Sequence, residues 1–363
     1  MSRHPVDPGE ARGTVGPHMP AEQVKAVETA PAPPIASRFV SWRTLVSFLI
    51  AAAIVVIAVR QGGINWGDTW DHIRHADLRL YLLALLAFVF AMFLRGVRWH
   101  WLLRNAGEDV GTFSLFEIIY ASFFVNCVIP AKMGDVYRAF LIRQRENVGA
   151  SKALGTVIAE RLLDLIMLMG LLLVTGAITF HNRVPGALVP YVIAGGLLAV
   201  FGIAVVVIMA TGHGSRLVRR LPERVSARYE NFRHGAVQSL SPWPFVSLLT
   251  AAVWCLEGTR LGLVVAALGF TDLMHPSQFL LVALVAALLT TVPFTPGGLG
   301  LVEAGMVGVL ATVADVPRTA GASITVLDRS ISYGSTLVIG LVFFAITHVR
   351  VARTSRVAGP SSA

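Results

Sequence analysis

Charge is scarce in this 363-residue sequence: 14% of its residues are Asp, Glu, Lys or Arg, against about 25% in a soluble globular protein. That deficit excludes an ordinary water-soluble enzyme. Lysine is nearly missing, with 3 residues against 27 arginines, and cysteine is limited to Cys127 and Cys255. Two cysteines inside apolar segments, without ligand spacing, exclude a disulfide framework and read as small core residues. The ten histidines show no paired ligand spacing, so no metal is expected. No glycine-rich phosphate loop of the GxxxxGK[ST] kind occurs, and no cofactor is expected. The net charge of +9 comes without an aromatic-basic module, so nucleic acid is not an expected partner. An apolar stretch at the start is missing too, which excludes a cleaved signal peptide.

What the sequence has in quantity is apolar residues, 55% of the total. They fall near 42–59, 80–94, 113–130, 153–179, 190–210, 245–268, 277–293 and 322–348. Most of these approach the roughly 20 residues that a membrane-spanning helix needs. The expected fold is therefore an all-α polytopic membrane protein. Residues 1–37 and 354–363 are polar and read as disordered tails, leaving 38–353 as the membrane domain.

Loops 131–152 and 211–243 and the segment after 348 carry 14 of the 30 Arg and Lys, whereas 269–276 carries none and 180–189 only Arg183. Positive loops belong on the cytoplasmic side, which puts both termini inside. The third and seventh apolar segments must then enter and return on one side. Both are broken: the third at Pro130 and Gly134, the seventh at Pro293, Pro296, Gly297, Gly298 and Gly300. The expectation is about six full crossings plus two re-entrant elements.

The chain also repeats itself. Leu94-Arg95-Gly96-Val97-Arg98 matches Leu256-Glu257-Gly258-Thr259-Arg260, and Pro130 to Gly134 with Asp135 matches Pro296 to Gly300 with Glu303. Glu160-Arg161 matches Asp328-Arg329, and the three offsets are 162, 166 and 168 residues. With the orientation above, repeats at about 80–180 and 245–348 run in opposite directions, an architecture common among secondary transporters.

Ten ionisable residues lie in or at the ends of these helices: Arg95, Arg98, Glu160, Arg161, Asp164, Glu257, Arg260, Glu303, Asp328 and Arg329. Each costs about 2.5–3.5 kcal/mol at a helix centre on insertion scales, so they must face one another or a hydrated cavity. Arginine forks suit a phosphate headgroup, with acids as counter-ions or proton sites. Ion pairs that only lock the two halves are the plainer alternative. Asp135 and Arg138 follow the first break, and a helix restarting near Leu301 aims N–H groups toward the same region.

PFTPGGLGLVEAG at 293–305, NCVIPAKMGDVYRAFLI at 126–142, AERLLDL at 159–165 and RGVRWHWLLRNAG at 95–107 resemble the flippase-like membrane family. That family is related to the transmembrane part of lysylphosphatidylglycerol synthase. The resemblance spans about residues 40–350 and implies movement of a lipid with a polar headgroup between leaflets. The synthases carry a soluble aminoacyl-transferase domain after the membrane part, and the chain ends at Ala363 without one, so aminoacylation is not expected. Relatives are also linked to polyprenyl-phosphate sugar pathways.

The resulting expectation is a non-enzymatic lipid flippase or lipid-linked-substrate transporter. Its partners would be anionic or polyprenyl-phosphate-linked lipids and a lipid-synthesis enzyme. The expected substrate-binding set is Arg98, Asp135, Arg138, Glu160, Arg161, Asp164, Glu257, Arg260, Pro296, Gly297, Gly298, Gly300, Glu303, Asp328 and Arg329. Rival readings are a membrane enzyme using Asp135 or Glu303, and a non-transporting scaffold using loop 211–243. Abundant Arg, Ala and Val with little Lys points to the plasma membrane of a GC-rich bacterium.

Overall fold

The computed structural model describes residues 42–61, 63–130, 132–180, 189–212, 218, 222–291 and 295–357. The expected tail 1–37, Arg183, Arg216, Arg219, Arg220 and Pro293 lie outside these residues, as do the side chains of Arg224, Arg350, Arg353 and Arg356. The first half contains α1 (Trp42–Gln61), α2 (Trp66–Arg74), α3 (Leu78–Asn105), α4 (Thr112–Val128), α5 (Met133–Glu146), α6 (Ala150–Phe180) and α7 (Val189–Thr211). The second contains α8 (Glu223–Ser239), α9 (Trp243–Ala267), α10 (Pro276–Thr290), α11 (Leu301–Val313), α12 (Arg318–Arg329) and α13 (Thr336–Val357). Among the described residues every regular element is helical, and the protein is an all-α polytopic membrane protein. Lipid offers the backbone no hydrogen-bond partners, so each apolar segment must satisfy its own N–H and C=O groups as a helix.

α1, α3, α6, α7 and α9 have 20 to 31 residues, each long enough to cross. α12 continues through a π-helical turn, Ser330–Ser335, into α13, making the sixth crossing-length element. α13 runs to Val357, into the stretch expected as tail. After Gly340 no Gly or Pro occurs before Gly359, so nothing local stops the helix at 353.

Four shorter helices, of which α4, α10 and α11 are apolar, form two hairpins. In the first, α4 and α5 lie antiparallel: the Ser114 hydroxyl donates to Glu146 near the base, and the Gly134 N–H donates to Asn126 Oδ1 at 2.7 Å near the tip. In the second, Gln278 Nε2 at the start of α10 donates to the Val313 carbonyl at the end of α11, at 3.0 Å. The legs have 17, 14, 15 and 13 residues, too few to cross singly. Residues 296–313 are long and apolar enough to pass as a span, yet the Gln278–Val313 contact makes them a returning leg.

The hairpins turn where sequence chemistry forbids a helix. Pro130 lacks an N–H, and Lys132 follows with left-handed backbone, φ 51°. In the second hairpin Pro296 opens a short 3-10 turn, and Gly297 and Gly300 take φ of 57° and 81°, which only glycine adopts at little cost. The two tips meet, for a Cβ on Gly297 would lie 3.4 Å from Cys127 Cα, and Tyr333 on the π-helical turn donates its hydroxyl to the Cys127 carbonyl at 3.0 Å.

α3 and α9 pack antiparallel along their length. The Asp77 N–H, just before α3, donates to the Ala267 carbonyl ending α9, and Asn105 at the end of α3 donates to Ser239 just ahead of α9. Equivalent glycines allow equivalent approaches: a Cβ at Gly96 would be 3.5 Å from Phe116 Cα on α4, and one at Gly258 would be 3.1 Å from Leu280 Cα on α10. The two repeats thus share one packing scheme with opposite direction.

Loops sort to two ends. Lys152–Glu108, Asn105–Ser239 and the close α6–α8 packing gather Arg104, Arg145, Lys152, Arg228 and Arg233 at one end. At the other, Asn65 binds Thr319 and His72 binds Ser323, gathering Asp68, Asp71, Asp77 and Asp272. Hairpin one has its base at the basic end, and hairpin two at the opposite end, where Arg74, Arg79 and Arg318 accompany the aspartates.

Candidate functional site

The repeated charges form repeated pairs. Arg161 on α6 donates through Nε and Nη2 to both carboxylate oxygens of Asp135, at 3.0 and 2.9 Å. Arg329 donates through Nε to Glu303 at 2.7 Å, and in both pairs the partners are 26 residues apart. Arg98 binds Glu160 and Asp164, each at 2.6 Å, and its equivalent Arg260 pairs with Asp328, the equivalent of Glu160. Each long helix is therefore clamped to its own repeat by the same two bonds. Across the repeats, Arg95 Nη2 lies 3.1 Å from Glu257 Oε1. These two residues occupy matching positions, so this pair marks the pseudo-two-fold axis.

A cavity of about 260 Å³ lies between the repeats, where the hairpin tips meet. Of the expected substrate residues, Asp135, Arg161, Asp164, Glu257, Arg260, Gly297, Asp328 and Arg329 line it. Phe123 sits between Arg95 and Arg161, with each guanidinium carbon 5.9 Å from the ring centre. Tyr333 faces Arg329 at 4.9 Å. Aromatic rings thus hold the arginines in place from the side that carboxylates leave open.

Three expected residues lie behind the wall instead. Arg98 and Arg138 have no exposed surface and Glu160 is 2% exposed. Arg138 reaches Glu160 at 2.8 Å and lies 3.6 Å over the Trp99 ring. Enclosed in the core and ion-paired, they lock α3, α5 and α6 together rather than face the cavity. Pro296, Gly298 and Gly300 also fall outside the lining: they shape the tip, and a Cβ at Gly300 would meet the Ala51 carbonyl of α1 at 2.8 Å. Glu303 stands beside the cavity as the partner of Arg329, and it also accepts the Gly300 N–H at 2.6 Å. That carboxylate takes up a donor expected to point at the site from the start of α11.

Residues 44–340 match the family model described as the lysylphosphatidylglycerol synthase TM region. The chain belongs to this family. A UPF0104 membrane protein of Methanocaldococcus jannaschii is 28% identical over 61% of this chain and 94% of its own length. Another, from Methanothermobacter thermautotrophicus, is 25% identical over 79% of this chain and 91% of its own. The glycosyltransferase AglD of Haloferax volcanii is 26% identical over 82% of this chain, which spans 53% of AglD.

Within this family member, the cavity contains groups that the sequence pattern did not mark as substrate-binding: Arg95, Lys132, Trp254 and Thr295. Arg95 carried a signal, as the first arginine of an i,i+3 pair inside an apolar helix. Lys132 did not, because a single lysine in a break reads as a solvated loop. Trp254 and Thr295 are 7% and 5% exposed, and among the described residues neither the Trp254 indole N–H nor the Thr295 hydroxyl has a hydrogen-bond partner.

Proposed function

We propose that this protein is a lipid flippase, or a transporter of a lipid-linked substrate, that moves an anionic or polyprenyl-phosphate headgroup between leaflets while acyl chains stay in the bilayer. The observation that carries this reading is the central cavity. Five cations line it, at the meeting point of two hairpins entering from opposite ends. A site between opposed repeats can be opened to either side by rocking one repeat against the other. The basic end favours a plasma-membrane orientation with both termini cytoplasmic. A bacterial source rests on composition alone, since the relatives named above are archaeal. No covalent step is assigned, so the reading is non-enzymatic.

The test is leaflet exchange in proteoliposomes containing fluorescent phosphatidylglycerol, read by its quenching with an impermeant reductant. Purified protein is expected to expose inner-leaflet probe at least tenfold faster than protein-free vesicles. Arg161→Ala and Arg329→Ala are expected to remove that gain. A wild-type rate equal to that of empty vesicles, for both this lipid and a short polyprenyl phosphate, overturns the proposal.

A second reading draws on AglD, whose name is that of a glycosyltransferase and whose length is about twice the matched region. Here the protein would be the membrane partner of a separate lipid- or glycan-synthesis enzyme. Co-purification of such an enzyme, together with no leaflet exchange, favours it.

A further inference from the structure

The two repeats match in sequence but meet the cavity differently. An offset of 162 residues relates α3 to α9, and one of 168 relates α5 and α6 to α11 and α12. Gly96 and Gly258 face Phe116 and Leu280, which sets 164 for α4 and α10. On these offsets Phe88, Ala283, Ala286, Val302 and Met306 correspond to Thr250, Ile119, Ser122, Gly134 and Arg138. All of the first five line the cavity, and none of the second five does. The cavity therefore runs from the tips along the legs of hairpin two, toward the base of that hairpin. The mirror-image space beside hairpin one is filled: Thr250, Ile119, Ser122 and Arg138 have no exposed surface.

Arginines do the filling. Arg138 on α5 lies 3.6 Å over the Trp99 ring of α3 and 2.8 Å from Glu160 of α6. Arg98 donates across the repeats to the Thr250 hydroxyl of α9 at 2.9 Å, anchored by Asp164 at 2.6 Å. In the second repeat the corresponding residues differ. Arg138 is replaced by Met306 and Asp164 by Ser332, and Arg260 faces the Phe88 ring at 5.8 Å. Both hairpins have the clamp at the tip, Asp135–Arg161 and Glu303–Arg329. Hairpin one has a second clamp farther along its leg, where hairpin two has Met306. Methionine can slide along apolar neighbours, whereas pulling a buried arginine off its carboxylate leaves both charges uncompensated. We propose that Arg138 latches hairpin one shut, backed by the Arg98–Thr250 bond, while hairpin two stands ajar. The resting protein is then closed toward its basic end, and opening that end requires hairpin one to leave Glu160 and Trp99. With the basic end cytoplasmic, the resting cavity leans outward. This rests on the transporter reading and adds which gate is shut at rest and what shuts it.

The test uses the full chain in lipid nanodiscs, with Cys127 and Cys255 replaced by alanine and one reporter at either of two mirror positions, Ser122→Cys or Ala286→Cys. Reaction with N-ethylmaleimide is followed by intact mass. In this parent, Ala286→Cys is expected to react roughly tenfold faster than Ser122→Cys or more, the scale set by one charge-assisted contact. Arg138→Met with Asp164→Ser gives the first repeat the residues of the second. The pair removes one charge of each sign and leaves Glu160 bound to Arg98. It should speed Ser122→Cys by a similar factor and slow Ala286→Cys. Thr250→Val keeps every buried charge paired and should shift both rates in the same directions by a smaller factor. Should the double variant melt too low to purify, Thr250→Val decides alone. Unchanged rates overturn the latch, and so does a rise at both reporters, which is what general loosening produces. Leaflet exchange measured on the same proteins separates the two ideas. Shifted labelling without exchange in any of them leaves the latch without the transporter, and exchange with unshifted labelling leaves the transporter without the latch.

Discussion

Arg98 and Arg161 are both paired arginines on the same side of the molecule, yet they are expected to fail in different ways when removed. Arg98 has no exposed surface and is held by Glu160, Asp164 and the Thr250 hydroxyl. Removing one partner of a buried ion pair leaves uncompensated charge and costs about 3–5 kcal/mol. Arg98→Ala should therefore lower the melting temperature of the detergent-solubilised protein sharply, and lose function only because it loses fold. Arg161 keeps 28% of its side chain exposed to the cavity. Arg161→Ala should melt within a few degrees of wild type, while its leaflet exchange falls at least tenfold. A larger melting loss for Arg161→Ala than for Arg98→Ala would reverse these roles. Sequence spacing put Glu160 and Asp164 on one helix face, but periodicity reports direction and not depth. That is why Arg98, Arg138 and Glu160 read as ligand-facing and turn out to be enclosed. Lys132, Trp254 and Thr295 were illegible for a different reason: none belongs to a repeated or helically spaced charge pattern, and only three-dimensional placement puts them on the cavity wall.

At the scale of the element, each hairpin depends on how closely its legs approach. A Cβ on Gly134 would sit 2.0 Å from the Ser122 carbonyl and 2.6 Å from Asn126 Oδ1, so α4 and α5 would have to separate. Overpacking of this kind costs about 1–3 kcal/mol, and here it also breaks the Gly134–Asn126 bond that fixes the tip. Gly134→Ala is expected to lower the melting temperature and to slow leaflet exchange. Gly149→Ala, where a Cβ would meet open space, should do neither. Equal effects of the two substitutions would remove close packing as the reason for the glycine. The breaks themselves were readable, because Pro130 and the Pro296–Gly300 run cannot continue a helix. That both broken segments return was readable from loop charge alone. What no spacing could show is that the two tips touch, since Gly297 and Cys127 are 170 residues apart in sequence.

For the whole molecule, three short matches at offsets of 162 to 168 residues anticipated the architecture, and the structure adds that the matched charges also pair alike. Inversion follows from α3 and α9 running antiparallel, and its functional content depends on which end faces the cytoplasm. The end that gathers Arg104, Arg145, Lys152, Arg228 and Arg233 is the one that positive charge retains inside during insertion. The end with Asp71, Asp77 and Asp272 should face out. Ala227 on α8 and Asp272 beyond α9 are exposed at these two ends, which makes them suitable reporters once Cys127 and Cys255 are replaced by alanine. In intact cells a membrane-impermeant maleimide should label Asp272→Cys and leave Ala227→Cys untouched until the membrane is opened. The opposite pattern would place the first hairpin's base outside. Labelling of both from outside would break the inverted arrangement, because the two loops that flank α9 would then share a side and α9 could not cross.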